Sequence, residues 1–560
     1  MNPVRRVHDR HQHSVPLLVL VSLLVVAYVW TDWMDRYPIP GVTTLADSTL
    51  DPAFDHGHLS NYVWIHHGTN DLSNQDETLI LLLLAGIGFL ASYYLPIPLK
   101  RRSLVLVTFA GIAWVMGGEV LALLLAAHLL CFATFHRPAP GRPATLLGLT
   151  LLAVCVWYPW VGDGWVGWTL PALGLAVSLP LLYVGHTYLY EPLLAGRGGA
   201  WLQPLVTHSS LISVLLLTIW NHDAGDSNLK LPMGLLLFFY QWERLFMYRI
   251  DLEDRKVPPD LSLWEYLATF FSPAALAHFP WMTRIPLGYA YLNDSFLARD
   301  KNLIVLSGLK LIGLAVAFFA LGPMGLELLS SGFQMLGTDP VGTYDGLLAA
   351  PAMGYTPGVG TVWSVLLLEF LRFYYVWAAV AHLKVGLWRL FGYDIEPYFQ
   401  KPFLSTNLVE LWRRYSYYYR AFLVQAFYFP VFLRFFKRRP LPRIFFATLV
   451  AACFGNFLYH MLFELLTWGS KPDVLVSQLR TLPYYLVLGA AIAATQVWLM
   501  RHGRRPRRAW TLDRRIVLDV LAVAGTVGFF IWIRPLHHVP AENTFLDGLR
   551  ICLSAVGIQI

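Results

Sequence analysis

An all-α, polytopic integral membrane protein is the fold class this sequence predicts, and three observations carry it. Hydrophobic residues make up 56% of the 560 and charged residues only 14%, which is more apolar surface than a water-soluble fold can hide. Apolar runs of about 20 residues recur, each long enough to cross about 30 Å of hydrocarbon as a helix. Alternating barrel-type strands of about ten residues are absent from the pattern, so helices are left to satisfy the backbone in lipid.

Hydropathy and charge together give about eleven membrane segments, including broken or re-entrant helices. The first, 14–31, follows a basic start at Arg5, Arg6 and Arg10. No small-residue cleavage site ends it, so an uncleaved helix with a cytoplasmic N-terminus is expected. An acidic outer segment, 31–77, holds Asp32, Asp35, Asp47, Asp51, Asp55, Asp71 and Asp76 against Arg36. A span over 78–95 leads to the cytoplasmic cluster Lys100, Arg101 and Arg102. Residues 103–135 are too long for one upright helix, and Gly117-Gly118 is expected to break them into two. Spans are predicted at 144–160, 168–190, 201–220 and 230–248, with Arg197 and the loop Arg249 to Lys256 inside. Residues 260–300, with Pro273, Pro280 and Pro286, read as a broken or surface-lying helix.

A span over 302–323 follows, then a Gly- and Pro-rich outer stretch, 324–360, and a long aromatic helix from Thr361 to Leu390. Residues 391–440 combine aromatics with Arg413, Arg414, Arg420 and Arg434, which a plain span would not carry. A re-entrant or interfacial segment on the cytoplasmic face is expected there. Residues 443–467, 481–500 and 516–535 cross again, and 546–560 form a short apolar tail. The net charge of +7 concentrates in loops beside the spans, such as Arg501 to Arg515. That is the positive-inside pattern and not a nucleic-acid signal. Cys131, Cys155, Cys453 and Cys552 lie in apolar stretches without CxxC spacing, so quiet core thiols are expected.

Polar groups deep in a span are functional candidates by default. His460 sits inside an apolar run, with Asn456 four residues before it and Glu464 four after, so helical spacing puts the three on one face. An imidazole between an amide and a carboxylate can be held in one tautomer and accept a proton near neutral pH. A structural hydrogen-bond cluster between helices would use the same residues. A second constellation is Trp412, Arg413, Arg414, Tyr415, Ser416, Tyr417, Tyr418, Tyr419 and Arg420. Guanidinium groups and aromatic faces suit the phosphorylated arm of a coenzyme. An aromatic belt with snorkelling arginines gives the same composition. Outer-loop residues Asp55, His56, His58, His66 and His67, and the pair His537-His538, have ligand types without a known metal spacing. No metal is expected, and Asp251 to Lys256 reads as a solvated charged loop.

The stretch Leu390 to Tyr393, followed by PYFQKPFLSTNLVELWRRY from Pro397 to Tyr415, resembles the signature of the membrane-bound O-acyltransferases (MBOAT). Tyr459-His460 matches that family's aromatic–histidine pair in an apolar helix. Tyr266 to Pro273, with Pro280 and Arg284, looks like its Phe-Phe-Pro region. The resemblance extends over roughly 80–535 and leans toward the bacterial branch of alginate acetylases and teichoic acid D-alanyl transfer proteins. It implies an acyltransferase core at 80–535, preceded by a helix and acidic loop at 1–79 and followed by a short apolar segment at 536–560.

By that resemblance His460 is the general base, and Asn456 or Ser416 donates to the oxyanion. Trp412, Arg413, Arg414, Tyr415, Glu464 and His382 line the substrate. No bound cofactor is implied; acyl-coenzyme A or an acyl-carrier protein thioester is the co-substrate. Expected partners are membrane lipid, that donor and an envelope-side acceptor such as a polysaccharide hydroxyl, or a partner protein, at the cell inner membrane. Two departures stand out. The family's second polar residue, usually His or Asn, falls at Ser416, and its polar residue in the preceding helix falls near His382. A transporter with His460, Glu464 and His382 as proton relay, and a non-catalytic scaffold, are the competing readings.

Overall fold

The computed structural model describes residues 14–28, 73–116, 118–136, 230–272, 285, 287–338, 344–350, 354–468, 472–502, 514–537 and 545–558. The expected spans at 144–160, 168–190 and 201–220, most of the acidic segment 31–77, and Pro273, Pro280, Arg284 and Pro286 lie outside these. Regular secondary structure among the described residues is helical. Among the described residues, five helical stretches are long and apolar enough to cross a membrane: Lys301–Met335, Val359–Leu390, Pro440–Leu462, Gln478–His502 and Val517–Leu536. Val15–Tyr28 and Leu82–Tyr94 are shorter apolar helices.

The contacts divide the chain into two units. One comprises Ile80–Phe279 and Pro286–Ala298, the other Met1–Leu79, Pro280–Ile285 and Arg299–Ile560. Helix α1 is Ser14–Tyr28, and α2, Ser73–Tyr94, carries the chain from the second unit into the first. The first unit then holds α3 (Ile97–Met116) and α4 (Gly118–Phe135). The expected break at Gly117-Gly118 falls on Gly117, which lies outside the described residues, and Lys100 to Arg102 stand in the first turns of α3 and not in a loop. Next come α5 (Lys230–Glu253), α6 (Leu263–Phe271) and α7 (Tyr289–Ser295). The nine-residue α6 opens on a capping box between Ser262 and Glu265. Its last turn is closed from α5, where Arg244 and Gln241 donate to the Phe270 carbonyl at 2.7 and 3.1 Å. Asp251, expected only as part of a solvated loop, accepts from Ala290 N at 2.9 Å and so caps α7. A buried His128 meets the Tyr266 hydroxyl at 3.3 Å, and His136 bonds that of Tyr248. With no water in a bilayer core, such pairs keep the polar groups satisfied.

The other unit is built on α8 (Lys301–Met335) and α10 (Val359–Leu390). Asp300 caps α8 by accepting from Asn302 N and Leu303 N. The outer stretch predicted to start at 324 is corrected here, because α8 continues through Pro323 for a further twelve residues. Residues 324–335 stay rich in Leu and Met. The stop comes at Gly337, which takes φ +74°, with Thr338 Oγ1 donating to the Phe333 carbonyl at 2.6 Å. The short α9 (Tyr344–Ala349) follows. Helices α8 and α10 approach closely through small residues. A Cβ on Gly386 would lie 2.7 Å from Ile312 Cγ1, and one on Gly308 would lie 2.8 Å from the Gly386 carbonyl.

Residues 391–440 form no single span. They fold into α11 (Leu408–Tyr415), α12 (Tyr417–Leu423), a π turn at Val424–Tyr428 and α13 (Phe429–Arg434). The next crossing is one path of three pieces: α14 (Pro440–Leu449), a π turn at Val450–Gly455 and α15 (Asn456–Trp468). Helices α16 (Pro472–His502), α17 (Arg514–Trp532) and α18 (Phe545–Ser554) complete the unit.

The glycine seam is testable by melting in detergent. Gly386→Val should lower the melting temperature, with a cost of roughly 1–3 kcal/mol for forcing a side chain into a packed contact. Gly313→Ala, where a Cβ meets nothing within 4 Å, should leave the melt unchanged or raise it.

Candidate active site

The site grows from the bend at Ser416. Ahead of it, α11 is fixed by Glu410. Asn407 Oδ1 accepts from Glu410 N at 2.9 Å, and the Glu410 carboxylate accepts from Thr406 N and Oγ1, each at 3.1 Å. The same carboxylate pairs with Arg414 at 2.7 Å, and Arg414 also donates to the Lys401 carbonyl. Arg414 is therefore engaged in holding the segment together. Arg413 is 51% exposed and only 4.0 Å from Glu410. Ser416 leaves the helical region, at φ −148° and ψ 72°, and its carbonyl then starts α12 by accepting from Arg420 N at 2.9 Å.

The bend sends neighbouring tyrosines to different partners. Tyr418 donates to the Glu396 carbonyl, and the Tyr419 hydroxyl donates to Asn456 Oδ1 at 2.5 Å. Trp412 and Tyr415 pack on the core cluster that contains Phe457, Tyr484 and Tyr485. The Arg420 guanidinium lies 5.6 Å from the Trp412 ring centre. Burial first, and the like charge of Arg413 second, hold Arg420 below the usual arginine range. Two guanidinium groups that repel each other beside an aromatic face make a natural seat for an anion.

Asn456 and His460 are placed by the π turn before them. Gly455 admits the Phe427 ring, and a Cβ there would come within 2.7 Å of it. On the other side Gly489 of α16 is so close that its Cβ would lie 2.8 Å from that of Cys453. Thus the extra residue of the π turn is clamped between two neighbours, and α15 starts in a fixed rotation. Asn456 is buried. The His460 ring has Tyr419 at 5.8 Å and Tyr459 at 6.1 Å, both edge-on, while Tyr485 stacks on it at 5.6 Å and 28°. His537 stands edge-on at 5.9 Å.

The structure therefore brings together Asn456, His460, Trp412 and Tyr415 around one core, with Ser416 at the bend that feeds it. Glu464 is on α15 four residues beyond His460, but its side chain lies outside the described residues. His382 belongs to the α8–α10 interface, where it is buried and stacks on Phe318 at 5.8 Å and 10°. Two members of the ring cluster were not singled out for it by the sequence. Tyr485 has no local signal, and His537 had shown only as half of a histidine pair. Asp55, His56, His58, His66, His67 and His538 lie outside the described residues. Among those described, no group of three or more His, Cys, Asp or Glu is placed to hold a metal ion. Cys131, Cys453 and Cys552 are buried and free; Cys155 lies outside the described residues.

No family model matches the chain. Over 168 residues it is 33% identical to the probable long-chain-alcohol O-fatty-acyltransferase 1 of Arabidopsis thaliana. The match covers 29% of this chain and 45% of that protein, so the chain spans less than half the length of this relative.

Glu410 should act as the keystone of α11. Glu410→Ala removes the cap and the partner of Arg414 at once, and should destabilise by roughly 1.5–3 kcal/mol, the scale of hydrogen bonds to a charged group. Arg413→Ala should melt like the parent, because its exposed ion pair contributes little.

Proposed function

We propose that this protein is a membrane O-acyltransferase that moves an acyl group from a thioester to a hydroxyl. The observation that carries the reading is the clamped pair of Asn456 and His460 in a nest of aromatic rings, next to the bend with Trp412, Arg413 and Arg420. The similarity to a fatty-acyltransferase and the MBOAT-like residues support the same class. The chain is read as a multi-pass protein of about eleven membrane segments in the cell inner membrane, with a cytoplasmic N-terminus.

His460 takes the proton of the acceptor hydroxyl as that oxygen attacks the thioester carbonyl. The Tyr419 hydroxyl occupies Asn456 Oδ1, which leaves the amide N–H groups to donate. Asn456 thus meets the oxyanion of the tetrahedral intermediate, with Ser416 the second candidate donor. Collapse breaks the C–S bond, and the His460 imidazolium returns its proton to the departing thiolate. Arg413 and Arg420 hold the anionic arm of the donor, a coenzyme A phosphate or the phosphopantetheine of a carrier protein, with Trp412 beneath it. Apolar and aromatic surroundings at His460 favour a long-chain alcohol, the substrate named for the relative, over the envelope polysaccharide that the bacterial branch implies.

The test is ester formation by purified protein in nanodiscs, from labelled acyl-coenzyme A or acyl-carrier protein, offered a long-chain alcohol or a polysaccharide. The parent should make ester, and His460→Ala should fall to background. Asn456→Ala should lose about 10²–10³ in kcat, as for removal of one oxyanion donor. Consumption of no thioester by a well-folded parent would reject the acyltransferase reading and leave His460, Glu464 and His382 to a transport role.

A further inference from the structure

Three segments far apart in the chain meet at His460. They are α15, which carries it; α16, which brings Tyr485; and the 3-10 turn Arg534–Leu536 after α17, which ends on His537. The three rings close a triangle, with centroid separations of 5.6 Å between His460 and Tyr485, 5.1 Å between Tyr485 and His537, and 5.9 Å between His460 and His537. One side of the triangle is a hydrogen bond, Tyr485 hydroxyl to His537 Nε2, at 2.5 Å. Resting on the acyltransferase reading above, we infer that Tyr485 and His537 are a positioning pair for the catalytic imidazole: Tyr485 is the plate on which His460 stacks, and His537 locks that plate.

The turn that carries His537 is held far more firmly than a loop between a span and a tail requires. Arg534 is 7% exposed. Its guanidinium sits 4.5 Å from the Phe373 ring centre of α10 and 5.7 Å from that of Phe530. Burying a guanidinium among apolar helices costs free energy, and what it fixes here is the turn. His537 N donates to the Arg534 carbonyl at 2.9 Å. Trp532 Nε1 donates to the Cys552 carbonyl at 2.7 Å, and Cys552 Sγ returns a bond to the Trp532 carbonyl at 3.2 Å. The turn is thus tied to α10 on one side and α18 on the other.

The chemistry follows from the stacking. When His460 accepts the acceptor's proton, its ring becomes a cation lying over the face of a phenol, which attracts it. With His537 in the tautomer that carries its proton on Nδ1, the phenol donates its own hydrogen to His537 Nε2, which pushes electron density back into the Tyr485 ring and strengthens that face. The same bond stops the ring from swinging away. Neither residue needs to touch substrate or change the proton balance of the transfer. The effect belongs to kcat, since it is exerted on the protonated intermediate state.

Tyr485→Phe, His537→Leu and His537→Gln, with the Tyr485→Phe/His537→Leu double variant, test this by acyl transfer in nanodiscs. Tyr485→Phe and His537→Leu should each lower kcat about 10- to 100-fold, the scale of a misplaced catalytic group, with KM for the thioester unchanged. The double variant should be no worse than either single one, because both break the same bond. His537→Gln, which keeps an acceptor, should recover part of the loss. A second readout needs no turnover: carbethoxylation of His460 by diethyl pyrocarbonate, followed by mass spectrometry, should quicken in Tyr485→Phe and His537→Leu, because the reagent attacks the neutral imidazole and a loosened plate neither favours the protonated ring nor covers it. If the parent transfers no acyl group, the acyltransferase reading has failed, and the carbethoxylation rate alone decides the positioning pair. Folded variants with parental kcat and parental carbethoxylation, or losses that multiply in the double variant, would overturn it.

Discussion

The clamp on the Val450–Gly455 π turn sets where α15 begins, and with it the placement of Asn456 and His460. A helix with one extra residue in a turn is free, in principle, to relax back to α geometry. Here it cannot, because Phe427 fills the space left by the missing Gly455 side chain, and Gly489 lets α16 press against Cys453 from the other side. The rotation of α15 about its axis is thereby fixed, and with it the direction in which Asn456 and His460 point. Phe427 belongs to the π turn Val424–Tyr428, the second in this unit, and the two π turns pack on each other. One unusual backbone element supports the other.

From that constraint the polar chemistry follows by exclusion of water. A buried amide needs partners of its own, and Asn456 finds one in the Tyr419 hydroxyl. Tyr419 is available only because Ser416 interrupts the helix three residues earlier. Without that bend α11 and α12 would be one rod, and their tyrosines could not divide between the Glu396 carbonyl on one side and Asn456 on the other. Backbone geometry at one small residue decides which hydroxyl reaches the site.

Much of this was legible from the residues. Long apolar runs gave the helices around 301–335, 359–390 and 478–502, because hydropathy averages over many side chains and survives local exceptions. Asn456 and His460 were legible from four-residue spacing, since α15 keeps the regular helical period. The extension of α8 beyond Pro323 was not, because a proline inside an apolar helix can kink it without ending it, and α8 runs on to Met335. Tyr485 and His537 were illegible for a different reason. Their partnership is a tertiary contact between α16 and a turn 52 residues further on, and no local pattern marks a tyrosine that will stack on a histidine of another helix.

The departure at Ser416 takes on another meaning once the C-terminal turn is in place. A side chain at 416 that carried catalytic chemistry would sit on the bend itself, where the main chain is already committed to Tyr398, through Tyr417 N at 3.2 Å, and to starting α12. A serine satisfies the bend with little bulk. The second imidazole beside His460 arrives instead from the far end of the chain, on a turn held by a buried arginine and a tryptophan–cysteine pair. On the acyltransferase reading proposed above, a polar ring at the C-terminal turn and not at 416 is compatible with a single site, because an imidazole that takes up a proton requires a fixed orientation and a receptive neighbour for its positive charge. The segment that supplies them is free to differ.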